Sequence, residues 1–395
     1  MTKKVQKQKQ KTKSTSSNTG TRKPETGNPT SLKNAGLLFA ALSFLLYINT
    51  FNHKFAFDDA IVITQNSFTQ QGLSGIPELV TTDFFMGIYG ESGMELTGGR
   101  YRPLSLVMFA VESHIFGDKK DKPAGQPVNA KPGQVFYSYN PFIGHLFNVL
   151  FYAFSVFLLF QLLRRWFPER PFIALVSTLL FAVHPIHSEV VANIKSRDEI
   201  MALFFVLLSL LQFDTWIKKD STLAVIFSGL FFFLASLAKE NAFTYLGIIP
   251  ILLWVIYKKD LGTTFKKSLP IWAVAFFYLF LRTSMVGLPS TEETNPSILE
   301  NPFVDADFAT KYGTIFLVLL RYIGKLILPL TLSSDYSFQQ IPYVSFGNWE
   351  ALLGIALYGG FAFLLIWGWQ KRNALAIFSA AYLFPLSIAS NAVFN

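Results

Sequence analysis

The sequence predicts an all-α polytopic membrane protein of about nine or ten transmembrane helices. Of its 395 residues, 51% are hydrophobic and 15% are charged, whereas soluble domains carry about 25% charged residues. Apolar runs of membrane-spanning length recur from residue 35 onward. Most lysines and arginines beyond the N-terminal segment lie in the short stretches between these runs. Positive charges in such loops set the orientation of the chain in the membrane.

The N-terminal part predicts a tail, an anchor and a long loop. Residues 1–33 are basic and polar without an apolar period, which indicates a disordered cytoplasmic tail. The first apolar run, Ala35–Phe51, lacks a small-residue cleavage site and is interpreted as an uncleaved signal anchor. Residues 52–140 form the first extracytoplasmic loop. Within it, Leu104–Phe116 is too short to cross a core of about 30 Å and is predicted to be an interfacial helix.

Further spans follow the loop. They are predicted at Pro141–Leu163, Pro171–Val183, Glu199–Ile217, two helices within Leu223–Tyr257 joined at Lys239–Asn241, Leu269–Met285, Ala351–Trp369 and Leu375–Ile388. The positive-inside rule then puts the basic residues at 164–165, 218–219 and 258–267 in the cytoplasm.

With these spans, basic loops on the cytoplasmic side alternate with loops on the outer side. One apolar run, Ile315–Leu330, conflicts with this alternation if it is counted as a span. If it crossed, the basic pair at 371–372 would lie outside. We therefore expect residues 311–349 to form a re-entrant or interfacial segment. Arg321 and Lys325 lie one helical turn apart there and are available to an anionic headgroup; snorkelling of both cations to the interface is the alternative.

The extracytoplasmic segments collect acids, histidines and cations. They are Asp58, Asp59, Tyr101, Arg102, His145, His184, His187, Glu189, Arg197, Asp198, Lys239 and Glu240. A carboxylate can deprotonate an acceptor hydroxyl, which suits Asp58 with Asp59, and cations can stabilise a leaving lipid phosphate. The candidates for that second role are Arg102, His184, His187, Lys239, Arg321 and Lys325.

Several classes of function and site are disfavoured. The absence of cysteine excludes disulfides, thiol catalysis and cysteine metal sites. No Gly-rich nucleotide-binding loop is found, and the net charge of +9 comes from the tail and short loops, so no nucleic-acid partner is expected. No convincing metal-ligand spacing occurs, and we predict no cofactor, with a divalent ion left open.

The motifs also have structural explanations. His184 and His187 suit a helix end, and residues 196–199 suit an N-cap followed by acids in a first turn. Lys239 and Glu240 suit an ion pair in a turn. Tyr101-Arg102-Pro103 suits the start of a helix.

Taken in order, these segments resemble the membrane domain of the transmembrane and tetratricopeptide-repeat O-mannosyltransferases. The matching segments are Asp58-Asp59, Tyr101-Arg102-Pro103-Leu104, Gly144–Asn148, His184–Glu189 with Arg197-Asp198, and Lys239-Glu240. Ser333–Ser337, which contains Asp335, is similar to that family's Asp-aromatic-Ser segment. The resemblance covers about residues 35–395 and implies a GT-C-like transmembrane catalytic domain over residues 34–395.

The resemblance implies an activity and its residues. An inverting transfer would move mannose or another hexose from a polyprenyl phosphate to a hydroxyl, expected on protein Ser or Thr, on the extracytoplasmic side. Asp58 would be the general base and Asp59 would orient it or the acceptor. Arg102, Arg197 and Lys239 would lie near the lipid phosphate. The partners would be the lipid-linked sugar, a protein acceptor and the bilayer.

Further expectations concern the organism that the chain comes from and the part of the family's architecture that it contains. The Lys- and Phe-rich composition favours a bacterial member using undecaprenyl phosphate at the inner membrane, with its site facing the periplasm. A dolichyl carrier at the endoplasmic reticulum membrane, facing the lumen, is the alternative. No 34-residue repeat is found, so the family's repeat domain is expected to be absent and the chain to be a fragment.

Other functions compete with a protein O-mannosyltransferase. A transporter is disfavoured because the sequence shows neither paired halves nor matching broken spans. An inactive scaffold for a repeat domain is disfavoured by the intact acidic pair. A lipid A aminoarabinose transferase or an oligosaccharide-assembling transferase would share the same scaffold and stays open.

Overall fold

The computed structural model describes residues 29–56, 58–90, 99–123, 133–287, 303, 306–333, 336 and 340–390. Asp335 and residues 1–28 of the predicted tail lie outside the described residues.

The described residues are almost entirely helical. The α-helices in chain order are α1 (Pro29–Leu46), α2 (Ser67–Gln70), α3 (Ile76–Thr81), α4 (Met86–Tyr89), α5 (Pro103–Phe116), α6 (Pro141–Trp166), α7 (Pro171–Val183), α8 (Ser188–Ala192), α9 (Arg197–Lys219), α10 (Thr222–Ala238), α11 (Ile248–Val255), α12 (Leu261–Val286), α13 (Phe308–Ile327), α14 (Trp349–Lys371) and α15 (Leu375–Ala389). Short 3-10 or π turns occur at Ile48–Asn52, Ala60–Thr64, Gly72–Gly75, Pro185–His187 and Glu240–Leu246. Two antiparallel strands, β1 (Lys119–Lys120) and β2 (Phe136–Tyr137), pair within the first loop.

Several of these helices are long and apolar enough to cross a membrane. Within the described part of the chain there are five, Asn34–Asn52, Pro141–Trp166, Arg197–Lys219, Leu261–Val286 and Trp349–Lys371. The pair Pro171–Val183 and Pro185–Ala192, bent by 47°, makes a sixth if it crosses as one unit. The other predicted spans are helices of 17 residues or fewer, at Thr222–Ala238, Glu240–Val255 and Leu375–Ala389. The prediction of an all-α polytopic membrane protein is confirmed, and the architecture is consistent with the GT-C type. Length and composition support five or six spans among the described residues, fewer than the nine or ten predicted, because several of the predicted spans are helices too short to cross by themselves.

Helix α9 is central to the bundle and packs against both α6 and α10. Its contact with α10 is close, because Ser209 Oγ donates to the Ser228 carbonyl at 2.8 Å and Ser228 Oγ donates to the Ser209 carbonyl at 3.0 Å. Small polar residues let membrane helices approach and bond in this way. The first turn of α9 carries Asp198 and Glu199 as predicted.

The two ends of the bundle differ in charge. We call the end that carries Asp58 and Lys239 the site end, and the end that carries Arg165 and Lys258 the basic end. At the site end the first loop folds over α5 around a fully buried apolar cluster, which contains Val62, Ile63, Phe68, Leu106, Phe109 and Ile194. Because Ile194 lies three residues before the start of α9, this cluster joins the acid-bearing loop to the segment that leads into α9. The helix predicted in this loop is confirmed at Pro103–Phe116, and its depth in a bilayer stays a prediction.

The last basic pair lies at the basic end. Arg372, in the turn between α14 and α15, donates from its guanidinium to the carbonyls of Lys258 and Lys259, both at 3.3 Å. Helix α13 is not one of the described helices that are long and apolar enough to cross a membrane. Both observations support the expectation that residues 311–349 do not cross, which stays a prediction about the membrane.

Candidate functional site

The two adjacent aspartates have different environments. Asp59 is fully buried, and its carboxylate accepts hydrogen bonds from the backbone N–H groups of Ala56 at 2.9 Å and Lys195 at 2.8 Å. Burial raises the pKa of Asp59 above its ordinary value, against the lowering effect of these two bonds. The Asp58 side chain is 55% exposed. Asp59 thus fastens the loop to the segment before α9, and Asp58 presents an exposed carboxylate at the same place.

Lys195 connects Asp58 to the rest of the site end. Its ammonium lies 4.0 Å from Asp58 Oδ2 and 3.9 Å from Asp198 Oδ2, and the side chain is 19% exposed. This residue was not among the candidates taken from the sequence. It lies in a predicted outer loop two residues before Arg197, but nothing in its local pattern distinguishes it from a solvated lysine.

Arg102 and the α10–α11 turn form the next part of the network. Arg102 is 5% exposed, and its guanidinium donates to Asp198 Oδ2 at 3.0 Å and, in a two-point contact, to both carboxylate oxygens of Glu240. Burial alone would raise the pKa of Glu240, but the bonds from Arg102 outweigh it and lower the pKa to about 2. The ion pair suggested between Lys239 and Glu240 is not formed, because the Glu240 carboxylate is bonded to Arg102.

Lys239 turns instead toward α9. Its ammonium contacts the Glu199 carboxylate directly and lies 3.9 Å from Asp198 Oδ2. The Lys239 side chain is 11% exposed, while those of Glu199 and Glu240 are 37% and 43% exposed. Three cations therefore surround the buried Asp198, and the outer carboxylates of this cluster are open to solvent or substrate.

Arg197 is a buried connector. It is fully buried, with Nε donating to Asn148 Oδ1 at 2.8 Å and Nη2 to the Gly144 carbonyl at 2.7 Å. Its Nη1 contacts the Glu112 carboxylate, which also accepts from the hydroxyl of Tyr139. Because its donors are engaged inside the protein, the geometry favours a positioning role over the predicted contact with a lipid phosphate. Arg197 ties α9 to α5 and α6.

The predicted histidines pack against other parts of the chain. His184 Nε2 donates to the Leu326 carbonyl at 2.9 Å, since its Nδ1 accepts from the Ile186 N–H at 3.2 Å. His187 Nδ1 bonds with the Tyr152 hydroxyl at 3.0 Å. His145 is 1% exposed, with its ring 5.9 Å from that of His53. In the described part of the chain, no three His, Asp or Glu side chains are grouped so that they could hold a metal ion.

The remaining candidates are distributed around this network. The Tyr101 hydroxyl donates to the Val80 carbonyl at 2.8 Å, and the Tyr101 carbonyl accepts from Tyr278 at 2.9 Å. Glu189 is exposed on α8. On α13, Lys325 donates to the Thr331 carbonyl at 3.1 Å and lies over the Tyr336 ring, with Arg321 one turn earlier. These residues do not join the network around Asp198, and Asp335 lies outside the described residues.

The structure thus joins six predicted residues and adds several that were not among the predicted site residues. Those joined are Asp58, Asp59, Arg102, Asp198, Lys239 and Glu240. Those added are Lys195 and Glu199 in this network, and Glu112, Tyr139 and Asn148 around Arg197. Glu112 and Asn148 carried a usable signal, because a polar group inside an apolar helix must find a partner.

Comparisons with known proteins agree with this picture. Residues 134–286 match the family model for dolichyl-phosphate-mannose-protein mannosyltransferases. The chain is 28% identical over 361 residues to the human protein O-mannosyl-transferase TMTC2, covering 86% of this chain and 40% of that protein. It is 25% identical over 390 residues to Drosophila melanogaster Tmtc1, covering 93% of this chain and 42% of that protein. It is 24% identical over 373 residues to mouse TMTC4, covering 82% and 46%.

The chain spans less than half the length of these curated relatives. No solved structure matches it significantly. The predicted resemblance to membrane O-mannosyltransferases is confirmed as a distant similarity. The partial family match agrees with the prediction of a glycosyltransferase that uses a polyprenyl-phosphate sugar. These relatives are animal proteins, so the bacterial source stays a prediction.

Proposed function

We propose that this chain is the membrane part of an enzyme that transfers mannose from a polyprenyl phosphate to a protein hydroxyl. The proposal is supported by the family match over residues 134–286 and by the similarity to protein O-mannosyl-transferases over most of the chain. The carrier is undecaprenyl phosphate in a bacterium or dolichyl phosphate in a eukaryote.

The single observation that carries the mechanism is that the two adjacent aspartates differ in burial and in their contacts. Asp59 is buried and held by two backbone N–H groups, and Asp58 is 55% exposed beside a cation. A general base must reach the proton that it removes, and its position must be fixed by its surroundings. Asp58 satisfies both conditions because its neighbour anchors the loop.

In the proposed reaction Asp58 accepts the proton of the acceptor hydroxyl as its oxygen attacks the anomeric carbon. The bond between that carbon and the phosphate oxygen breaks, and the polyprenyl phosphate leaves with the electron pair. Attack opposite to the leaving group inverts the configuration. The negative charge on the leaving phosphate needs stabilisation by fixed cations, and Lys195, Lys239 and Arg102 lie at the site end.

The site end is assigned to the extracytoplasmic side. The basic turns at the opposite end match the cytoplasmic bias of short loops. The proposed location is the bacterial inner membrane with the site facing the periplasm. The endoplasmic reticulum membrane with the site facing the lumen is the alternative, and the same residues would act there.

The test is transfer from a labelled polyprenyl-phosphate mannose by the purified 395-residue chain in lipid. Replacing Asp58 by Asn removes the base, so turnover is expected to fall by roughly 10²–10⁴-fold. Asp118→Asn is the matched control, because Asp118 is an exposed aspartate in the same loop, and it is expected to retain full turnover.

Donor binding is measured alongside, since it distinguishes the alternatives. Turnover that is equal in the parent and Asp58→Asn would contradict the base assignment. A parent that neither consumes nor binds the donor would favour the transporter or scaffold alternatives.

A further inference from the structure

A cavity lies at the basic end, opposite the candidate site. Its volume is about 340 Å³, and it is formed where the α6–α7, α11–α12 and α14–α15 turns meet. Arg170, Lys258 and Arg372 line it, one from each turn, together with the aromatic residues Trp166 and Phe167.

These three cations are not neutralised by acids, in contrast with others at the same end. Arg165 and Lys218 share the buried Asp214 at 3.6 and 2.8 Å, and Lys267 pairs with Asp220 at 2.9 Å. Among the described residues no carboxylate lies within 4.0 Å of the side-chain nitrogens of Arg170, Lys258 or Arg372. The cavity lining contains no acidic residue. The cavity therefore concentrates positive charge.

Two of the cations are held in fixed positions. The Arg372 guanidinium lies 3.8 Å from the centre of the Trp254 ring, and Lys258 Nζ donates to the Arg372 carbonyl at 2.8 Å. Both residues have a positive φ, 53° for Lys258 and 51° for Arg372. Residues other than glycine rarely adopt this backbone conformation. It persists only where the surrounding structure enforces it. Both cations keep donors that are not used by these contacts, because an ammonium has three and a guanidinium five.

We propose that this cavity binds the phosphate group of an anionic lipid. Basic pockets between transmembrane helices on the cytoplasmic side are suited to such headgroups. Orientation of the chain requires only that positive charge remains on that side. It does not require three separate turns to bring their unpaired cations to one cavity beside aromatic rings.

The test uses the full 395-residue chain in phosphatidylcholine nanodiscs and measures the midpoint of thermal unfolding. Dihexanoyl phosphatidic acid is titrated against dihexanoyl phosphatidylcholine and against inorganic phosphate. A ligand that binds the folded state raises the midpoint in a concentration-dependent way. Phosphatidic acid is expected to raise it and phosphatidylcholine to leave it unchanged. If inorganic phosphate raises it as strongly, the site is supported and its ligand is the free ion.

Two variants and a control locate the effect. Arg170→Gln and Lys258→Asn each remove one charge, and Asn tolerates a positive φ. Each is expected to weaken the apparent affinity for phosphatidic acid by roughly fivefold, the equivalent of about 1 kcal/mol per cation at a membrane surface. Lys266→Gln removes an exposed charge at the same end outside the cavity and is expected to change nothing. An equal response to both lipids, or equal affinity in all three variants, would overturn the proposal.

Discussion

At the scale of single residues, the charge balance around Asp198 governs the candidate site. This carboxylate is 1% exposed and is contacted by Arg102, Lys195 and Lys239, with distances of 3.0, 3.9 and 3.9 Å. A buried, ionised carboxylate without neighbouring cations would strongly destabilise the folded protein. Asp198 therefore acts as the centre that gathers three cations from separate parts of the chain. Lys195 alone among them also reaches the proposed base.

Replacing Lys195 by Gln is expected to lower turnover while the protein stays folded. Two charges 4 Å apart interact by between about 1 kcal/mol in water and about 4 kcal/mol near a protein surface, so the loss should be at least roughly fivefold. Lys54→Gln is the control, because Lys54 is an exposed lysine in the loop that carries Asp58. The measurement is turnover and donor KM for both variants beside the parent.

The outcome separates two roles for Lys195. A fall in turnover with unchanged donor KM indicates that Lys195 positions Asp58, and a rise in donor KM indicates contact with the lipid phosphate. Equal kinetics for Lys195→Gln and Lys54→Gln would remove Lys195 from the site.

At the scale of elements, α13 is attached to α14 through close backbone contacts. A Cβ on Gly354 of α14 would lie 2.3 Å from the Phe316 carbonyl oxygen of α13. The Tyr358 hydroxyl, one turn later, donates to the Leu319 carbonyl at 3.2 Å. The other end of α13 is held by His184 through Leu326. The helix thus lies between α14 and the segment that follows α7.

Gly354→Ala is expected to loosen this attachment. Because the added methyl group meets a backbone carbonyl, overpacking should lower the free energy of unfolding by about 1–3 kcal/mol. Gly360→Ala is the matched control in the same helix, since a Cβ there has nothing within 4 Å, and it should be neutral or stabilising by up to about 1 kcal/mol. Thermal unfolding of both variants in detergent checks this, and equal midpoints would contradict the close contact.

The local sequence pattern was sufficient to predict most helices, but it was insufficient to predict which side chains contact each other. The break between α10 and α11 was predictable, because one helix through residues 223–257 would be too long, and α10 does end at Ala238. The burial of Arg197 was not predictable, since its partners Glu112 and Asn148 come from two other helices. For the same reason Lys195 looked like any solvated lysine until the fold brought Asp58 and Asp198 to it.

At the scale of the whole molecule, the distribution of charge predicts which turns share a side of the membrane. The turn at Arg372 is bonded to the turn at Lys258 and Lys259, so these turns must lie on one side. The connection between α12 and α14 contains α13. If α13 crossed the membrane, the α14–α15 turn would be moved to the side opposite Lys258.

The absence of cysteine from the chain makes this prediction directly measurable. Single substitutions Asp118→Cys, Gln340→Cys, Lys266→Cys and Lys371→Cys place one thiol in each of four exposed positions. A membrane-impermeant maleimide applied to intact cells should label the first two, and should label the last two only after the membrane is opened. Labelling of Gln340→Cys together with Lys266→Cys, and of Lys371→Cys with Asp118→Cys, would show that α13 crosses. That result would also separate Arg372 from the side of Lys258, which their direct hydrogen bonds forbid in the fold described above.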